Sequence, residues 1–518
     1  AHLQTPTARQ WLLAPALGNR LPVAVRQAAR AALATQAGAL PGTTEAAAEL
    51  YRAALQYDQQ PPAMPPGAGG TATLWTWDAK RKLPVATQVP QRVASRELAA
   101  RLAADGRDIL PGEAALRRLQ QTLLLEAAID RAGGLARLDR EPGGAVERVA
   151  GEGLEAVEDL LAFAADNHHP GPAAVAAEIL GRRGSVELLT AEGGRPRPLT
   201  RAAAHADRRL RFAAVAAIVA LDPRDPYPGS SLVADALKFF IGSRGLHTAV
   251  VGDLQTTGAQ QVAGLLFPLG YEVQIATSTR ELVKQAIGAS DLELVLVDMV
   301  LANELSGKVV QDLRRDCRTA NVPIGLLAAT WQLNRGRILA RREERTVAML
   351  RPLDTSAAQT VVAAMRQLAA GEVSADERLA ESRQALVWLA EESRHSHVEL
   401  YPLVHFEDEL VAALGSPALV HAALPLLGEL GTPACQSALV ELASTQAAVP
   451  AIRQAAAAAF GKNVTQHGIL LSRAQIARQY DRYNASEGQD RQSQAVLATI
   501  LDDMEAYAAR QAGRGTTR

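Results

Sequence analysis

Cysteine is scarce in these 518 residues: Cys317 and Cys435 are the whole complement. Two cysteines cannot build a disulfide framework or a zinc site. Each reads as a small buried apolar residue rather than a reactive thiol. Aromatic residues make up only 4% of the chain. Alanine runs such as Ala455 to Ala459 carry much of the apolar count instead. Such small side chains let helices approach closely, which favours stacked helices over a sandwich. Neither sign of charge prevails, with 54 Lys and Arg against 55 Asp and Glu and a formal net charge of −1. No global field therefore draws the chain to nucleic acid or to an anionic membrane, and neither is expected as a partner. The basic stretch Arg335 to Arg345 reads as a solvated helix face. No apolar run reaches the length of a membrane span. The chain begins at Ala1 rather than Met, so an upstream signal peptide, anchor or further domain is expected to have been removed.

Familiar enzymatic signatures are missing as well. There is no G-x-S-x-G, no H-E-x-x-H and no paired C-x-x-C. Neither Gly242 to Gly245 nor the "PGAGG" run follows a strand and opens a helix with the lysine of a phosphate loop. His395, His397 and His405 lie near Glu399, Glu407 and Asp408, a donor set that zinc or nickel could use. The two-residue spacing of His395 and His397 does not suit one helix face, and surface histidines are the expected reading. His168-His169 before Pro170 reads as a turn between helices. The "DDMEAYA" run near the C-terminus reads as an acidic helix face.

What the chain does contain is organised in blocks. Residues 1–60 have helical periodicity, with Leu50, Ala53 and Leu55 on one stripe. The helix Thr44 to Asp58 is similar to the second helix of a tetratricopeptide repeat. Residues 61–90 form a linker, "QQPPAMPPGAGG" from Gln59 to Gly70, followed by an alternating segment that reads as a β-hairpin. Its Trp75 and Trp77, if exposed, could bind a partner, but packing of the hairpin on neighbouring helices is the expected reading. From residue 91 to 242 the pattern is helical again. "HPGPAAVAAEILGRRGSVELL" from His169 and "HADRRLRFAAVAAIVALDP" from His205 share a polar turn followed by an alanine-rich helix. The first is expected to stop at Gly181 and the second at Pro223. The same shape returns in residues 374–507, where Gly428 and Gly461 mark a local period of 33 residues. Short helix pairs at such a period stack into a solenoid, because no pair buries its apolar face alone. These segments resemble HEAT repeats of the short bacterial kind, on the "AAVAAEILGRRG" and "HAALPLLGELG" forms, over about half of the chain. Residues 508–518 lack periodicity and read as a flexible tail.

Residues 246–370 change character. β-Branched runs at "HTAVVGD", "YEVQIAT", "LELVLVD", "VPIGLLAA" and "TVAML" alternate with five amphipathic stretches. Continuous apolar strands predict a parallel sheet covered on both faces, and right-handed crossovers make it doubly wound. The fold class expected for the whole is therefore α plus α/β, with helical solenoid segments flanking a five-stranded doubly wound domain. In such sheets the site lies at the carboxyl ends of the strands, here Gly252-Asp253, Asp298, Ala328-Ala329-Thr330 and Arg351-Pro352.

That layout closely resembles the receiver domain of two-component signalling, over about a quarter of the chain. Asp298 matches the phosphoacceptor, Asp253 an acidic metal ligand, and Arg351-Pro352 the family's Lys-Pro. The resemblance implies magnesium bound by Asp253 and Asp298. Aspartyl phosphate forms only when a divalent cation separates the two anions, and that cation needs several hard oxygen ligands. A hydroxyl and a lysine then hold the phosphoryl oxygens. Here Gly252 stands at the first acidic position, Ala328 at the switch hydroxyl and Arg351 at the lysine. Thr330 would face the same side if its strand continued. Arginine keeps the charge but not the compact ammonium geometry. The loop after Asp298 also lacks the family's usual proline. The expectation is a pseudo-receiver on a non-catalytic scaffold that binds protein partners. A signalling switch phosphorylated at Asp298 is the alternative, and an enzyme with a site at a helical–receiver interface stands third. The receiver-like domain favours the cytoplasm, and export stays open.

Overall fold

The computed structural model describes residues 6–37, 39–59, 70–78, 81–190, 193–303, 308–369, 371, 373–394, 400–486, 488 and 491–515. It is mostly helical, with one five-stranded parallel sheet and one two-stranded antiparallel ribbon. None of the described helices is long and apolar enough to cross a membrane. The chain divides into two compact units, residues 1–203 with 209–222, and residues 204–208 with 223–518.

The first unit is built from helices that bury alanine and leucine stripes. Pro6–Leu17, Val23–Ala37, Thr43–Gln59, Gln91–Ile109 and Ala114–Ala132 share a core of Leu13, Leu33, Leu50, Leu102 and Leu119. A ribbon of strands β1 (Thr71–Asp78) and β2 (Leu83–Pro90) interrupts them. Its Ala72 and Leu74 are buried, but Trp75 and Trp77 are 59% and 66% exposed. The ribbon packs on the helix Gln91–Ile109, as expected, but strand alternation sends the indoles to its opposite face. Gly181 does not stop its helix, which runs from Pro170 to Arg183. A Cβ at Gly181 would come within 2.6 Å of Ala217 Cα, so this glycine permits a close helix crossing instead. His169 is no plain turn residue. It is buried, with Nδ1 3.1 Å from Glu126 and Nε2 3.4 Å from Asp58. Arg96 reaches Glu126 and Asp130 at 2.8 Å each. This network joins three helices and the start of a fourth.

The second unit holds the sheet. Its strands are β3 (His247–Gly252), β4 (Tyr271–Ala276), β5 (Leu292–Asp298), β6 (Ile324–Ala328) and β7 (Thr346–Leu350). All pair in parallel, in the order β4-β3-β5-β6-β7. Counted within the sheet this is 2-1-3-4-5, with the switch point between β3 and β5. Alternate strand residues feed two separate cores. Val250, Val295, Val297, Ile324 and Leu326 pack with Leu282, Val309 and Leu313 on one face. Ala249, Val251, Leu294, Leu296 and Leu327 pack with Val262, Val361 and Met365 on the other. Both faces are thus covered, which is why these strands read as continuous apolar runs. Arg314 closes one corner by donating to the carbonyls of Ala320, Val322, Glu344 and Arg345 at 2.7–3.1 Å. Burial pushes its pKa down to about 10.

Helices follow the sheet at Ala375–Arg394, Val420–Glu429, Pro433–Ser444, Pro450–His467, Arg473–Ala485 and Arg491–Gly515. The last of them runs into the segment read as a tail, while residues 516–518 lie outside the described residues. A buried polar network fixes their register. Asn463 donates to the carbonyls of Leu427 and Leu430 at 2.8 and 2.7 Å, and Gln436 donates to Asn463 Oδ1 at 2.9 Å. Any slip of one helix would leave these buried amides unpaired, at about 1–3 kcal/mol each.

Candidate functional site

The carboxyl edge of the sheet gathers the three charged residues singled out in sequence. Asp253 follows β3, Asp298 ends β5 and Arg351 follows β7. The two aspartates stand at the switch point between β3 and β5, and Arg351 reaches them from the end of the edge strand β7. Asp253 and Asp298 are both buried. A single guanidinium nitrogen, Arg351 Nη2, donates to both: to Asp298 Oδ2 at 2.6 Å and to the Asp253 carboxylate. The other oxygens are taken as well. Asp253 Oδ1 accepts from Gln255 N at 2.9 Å, and Asp298 Oδ1 from Val300 N at 2.8 Å. Burial opposes the charge on Arg351, but hydrogen bonds and attraction from the two carboxylates outweigh it and hold the guanidinium above its ordinary pKa. Gly258 makes room for this pairing. A Cβ there would strike the Asp253 carboxylate and lie 2.8 Å from Arg351 Nη1.

The remaining positions fall away from the crevice. A Cβ at Gly252 would point into the core, colliding with Leu282 and lying 2.9 Å from Leu301. The space beside Gly252 is therefore filled by aliphatic packing and is not open. Ala328 ends β6 and is buried without a hydroxyl. The strand does not continue to Thr330, which instead opens a short 3-10 turn, Thr330–Gln332, and is exposed. Gln332 accounts for the stop, since its Oε1 accepts from Ala329 N at 3.0 Å and turns the backbone out of the sheet.

These residues do not fit magnesium. An octahedral ion needs hard oxygens around an open centre. Here the centre between the carboxylates holds a nitrogen donor, and one acidic position is sealed by leucine. Arginine cannot be deprotonated to make way. What the arrangement does is share one cation between two buried carboxylates and tie three strand ends together. The loops after these strands carry exposed apolar side chains among polar ones such as Gln255, Thr330 and Asp354. Trp331 is 82% and Leu353 87% exposed, with Leu254 and Val300 also exposed.

The histidine group falls only partly within the described residues. His395, His397 and Glu399 lie outside the described residues. His405 faces Asp235 at 3.4 Å, and Glu407 accepts from the Thr432 hydroxyl. Among the described residues no group of three or more His, Cys, Asp and Glu could hold a metal ion. Cys435 is buried, and burial pushes its thiol up to about 12; Cys317 is half-buried. Cys435 therefore lacks the depressed pKa of a reactive thiol.

Sequence reasoning missed a second charged cluster, at the opposite edge of the sheet. Asp291 and Glu293, at the start of β5, meet Arg378 from the helix Ala375–Arg394. Arg378 Nη2 donates to Glu293 at 2.8 Å and to the Leu246 carbonyl at 2.6 Å, and Nε lies 3.3 Å from Asp291. The backbone N–H groups of Arg244 and Leu246 donate to Asp291 at 2.7 and 3.2 Å, and the Ser243 hydroxyl donates to it too. Arg208 bridges Glu381 and the Ser290 carbonyl at 2.6 and 2.7 Å. The one signal in sequence was an acidic pair, Asp291 and Glu293, flanking the first residue of an otherwise apolar strand.

Searches for relatives give no further handle. No protein-family model matches the chain, and no match to a curated protein was found.

Proposed function

We propose that the chain is a non-catalytic scaffold, in which HEAT-like helical repeats carry a receiver-like domain that has exchanged phosphoryl chemistry for docking. The observation that carries this reading is the shared nitrogen of Arg351 between Asp253 and Asp298. A phosphorylatable aspartate needs a metal ion beside it and a free oxygen for attack. Here an internal cation takes the metal's place and backbone N–H groups take the free oxygens. The strand order 2-1-3-4-5 and the three charged strand ends support the receiver likeness. Stacked helix pairs with buried alanine stripes support the repeat likeness. The exposed rim of Trp331 and Leu353 supports docking of a protein, since indole and leucine side chains at such exposure are typical anchors.

The test is direct. The full chain is incubated with magnesium and a small phosphodonor, and its intact mass is recorded beside that of Asp298→Ala. No gain in mass over the untreated protein is expected for either. A phosphoryl adduct on the parent that disappears in Asp298→Ala would establish the signalling-switch reading instead. Docking is tested by affinity capture from a bacterial lysate with the parent and with Trp331→Ala/Leu353→Ala. A defined protein recovered by the parent and lost in the variant is expected.

A further inference from the structure

The ribbon in the first unit is unlike the rest of the molecule. Its inner face, Ala72 and Leu74, is buried, while Trp75 and Trp77 stand on the outer face. Pairing of Trp75 with Ala86 and of Trp77 with Pro84 puts small, flat neighbours beside both indoles. Strand geometry separates the two rings by about 7 Å along one line. The surroundings are basic. Arg81 and Lys82 form the exposed turn, the Arg81 side chain being 73% exposed, and Arg101 donates to the Trp75 carbonyl at 3.1 Å. Asp78, 3.7 Å from Arg81, is the one acidic residue within the ribbon strands.

We infer that this face binds single-stranded nucleic acid, with a base stacked on each indole and the phosphates held by Arg81, Lys82 and Arg101. Two demands select the ligand. The cations call for a polyanion, and the paired indoles call for a flat π surface at each repeat. Single strands supply both. A duplex hides its bases within the stack, and an acidic peptide has no such surfaces. A lipid layer would have to dehydrate the polar pair beside the indoles, where Gln88 donates to the Thr73 hydroxyl at 2.8 Å. The chain's net charge of −1 gives no long-range attraction, so binding is local and salt-sensitive. It amends the expectation, drawn from overall charge, that nucleic acid is not a partner. The inference rests on a different unit from the crevice and stands or falls without it.

The test uses the full chain and a labelled oligothymidylate of about 12 nucleotides, within the usual site size, read by fluorescence anisotropy. Binding at low salt that weakens as salt rises is expected. Trp75→Ala and Trp77→Ala should each weaken it roughly tenfold, and Trp75→Phe and Trp77→Phe should recover most of the loss. Arg81→Glu/Lys82→Glu should weaken it for every base composition alike. Circular dichroism of each variant checks that the fold is kept. Four outcomes overturn the inference: no binding at low salt, binding indifferent to both indoles, equal binding of a blunt duplex, or a response to anionic lipid vesicles with none to the oligonucleotide.

Discussion

The two edges of the parallel sheet solve the same electrostatic problem differently. At each edge two carboxylates meet an arginine inside the protein. At the amino edge Arg378 is 5% exposed, and Asp291 and Glu293 are held by a serine, two backbone N–H groups and a histidine besides. The bonds of Arg378 cross from the sheet to the helix Ala375–Arg394, so this edge is a joint. At the carboxyl edge the Arg351 side chain is 26% exposed. Its two carboxylates are held only by strand ends and the first residues of their own loops. That edge has the geometry of a site but is closed by its own cation. The difference teaches that the same pairing can serve two ends: Arg378 ties the sheet to a helix and leaves Glu293 Oε2 buried without a hydrogen-bond partner, whereas Arg351 ties strand ends to one another with both oxygens of each carboxylate paired.

The comparison breaks most severely at the joint. Arg378→Ala strands two buried carboxylates, and loss of one partner from a buried ion pair costs about 3–5 kcal/mol. Urea unfolding should show a lower midpoint of that size, and a change under about 1 kcal/mol, the value of a surface pair, would mean that the joint is not structural. Arg351→Ala should cost less, about 2 kcal/mol, because solvent reaches that edge and screens the stranded charges. It should also create what the parent lacks. With the guanidinium gone, Asp253 and Asp298 face each other across a space, and millimolar magnesium should raise the midpoint of the variant by mass action. The parent should not respond. A parent that is stabilised by magnesium would overturn the closed-crevice reading.

Much of this was legible in the sequence. The five βα units stand out because strands covered on both faces must be apolar throughout, and their carboxyl ends are where Asp253, Asp298 and Arg351 were sought. What sequence did not reveal was contact. Nothing along the chain says that one arginine nitrogen bridges residues 253 and 298, or that Leu282 packs against Gly252. Gly181 was misread because glycine both ends helices and lets them cross, and only the neighbouring Ala217 decides which. Thr330 was misread because strand length turned on a side chain, Gln332, capping a backbone N–H. Asp291 and Glu293 were passed over because their partner Arg378 lies outside the α/β block altogether.

The smaller effects sharpen the contrast within the carboxyl edge itself. Gly252→Ala adds one methyl against Leu282 and Leu301 and should cost about 1–2 kcal/mol by overpacking, without altering metal response. If the mutation were neutral, the position would be open and an aspartate there could again face the crevice. Trp331→Ala/Leu353→Ala lies at the other end of the scale. Both side chains stand in solvent, so stability should move by no more than about 0.5 kcal/mol. Their removal should still abolish capture of a docked protein, because anchors of this kind dominate binding while contributing little to folding. A loss of stability instead of a loss of capture would make the rim part of the fold. The carboxyl edge would then be a second joint rather than a surface kept free for a partner.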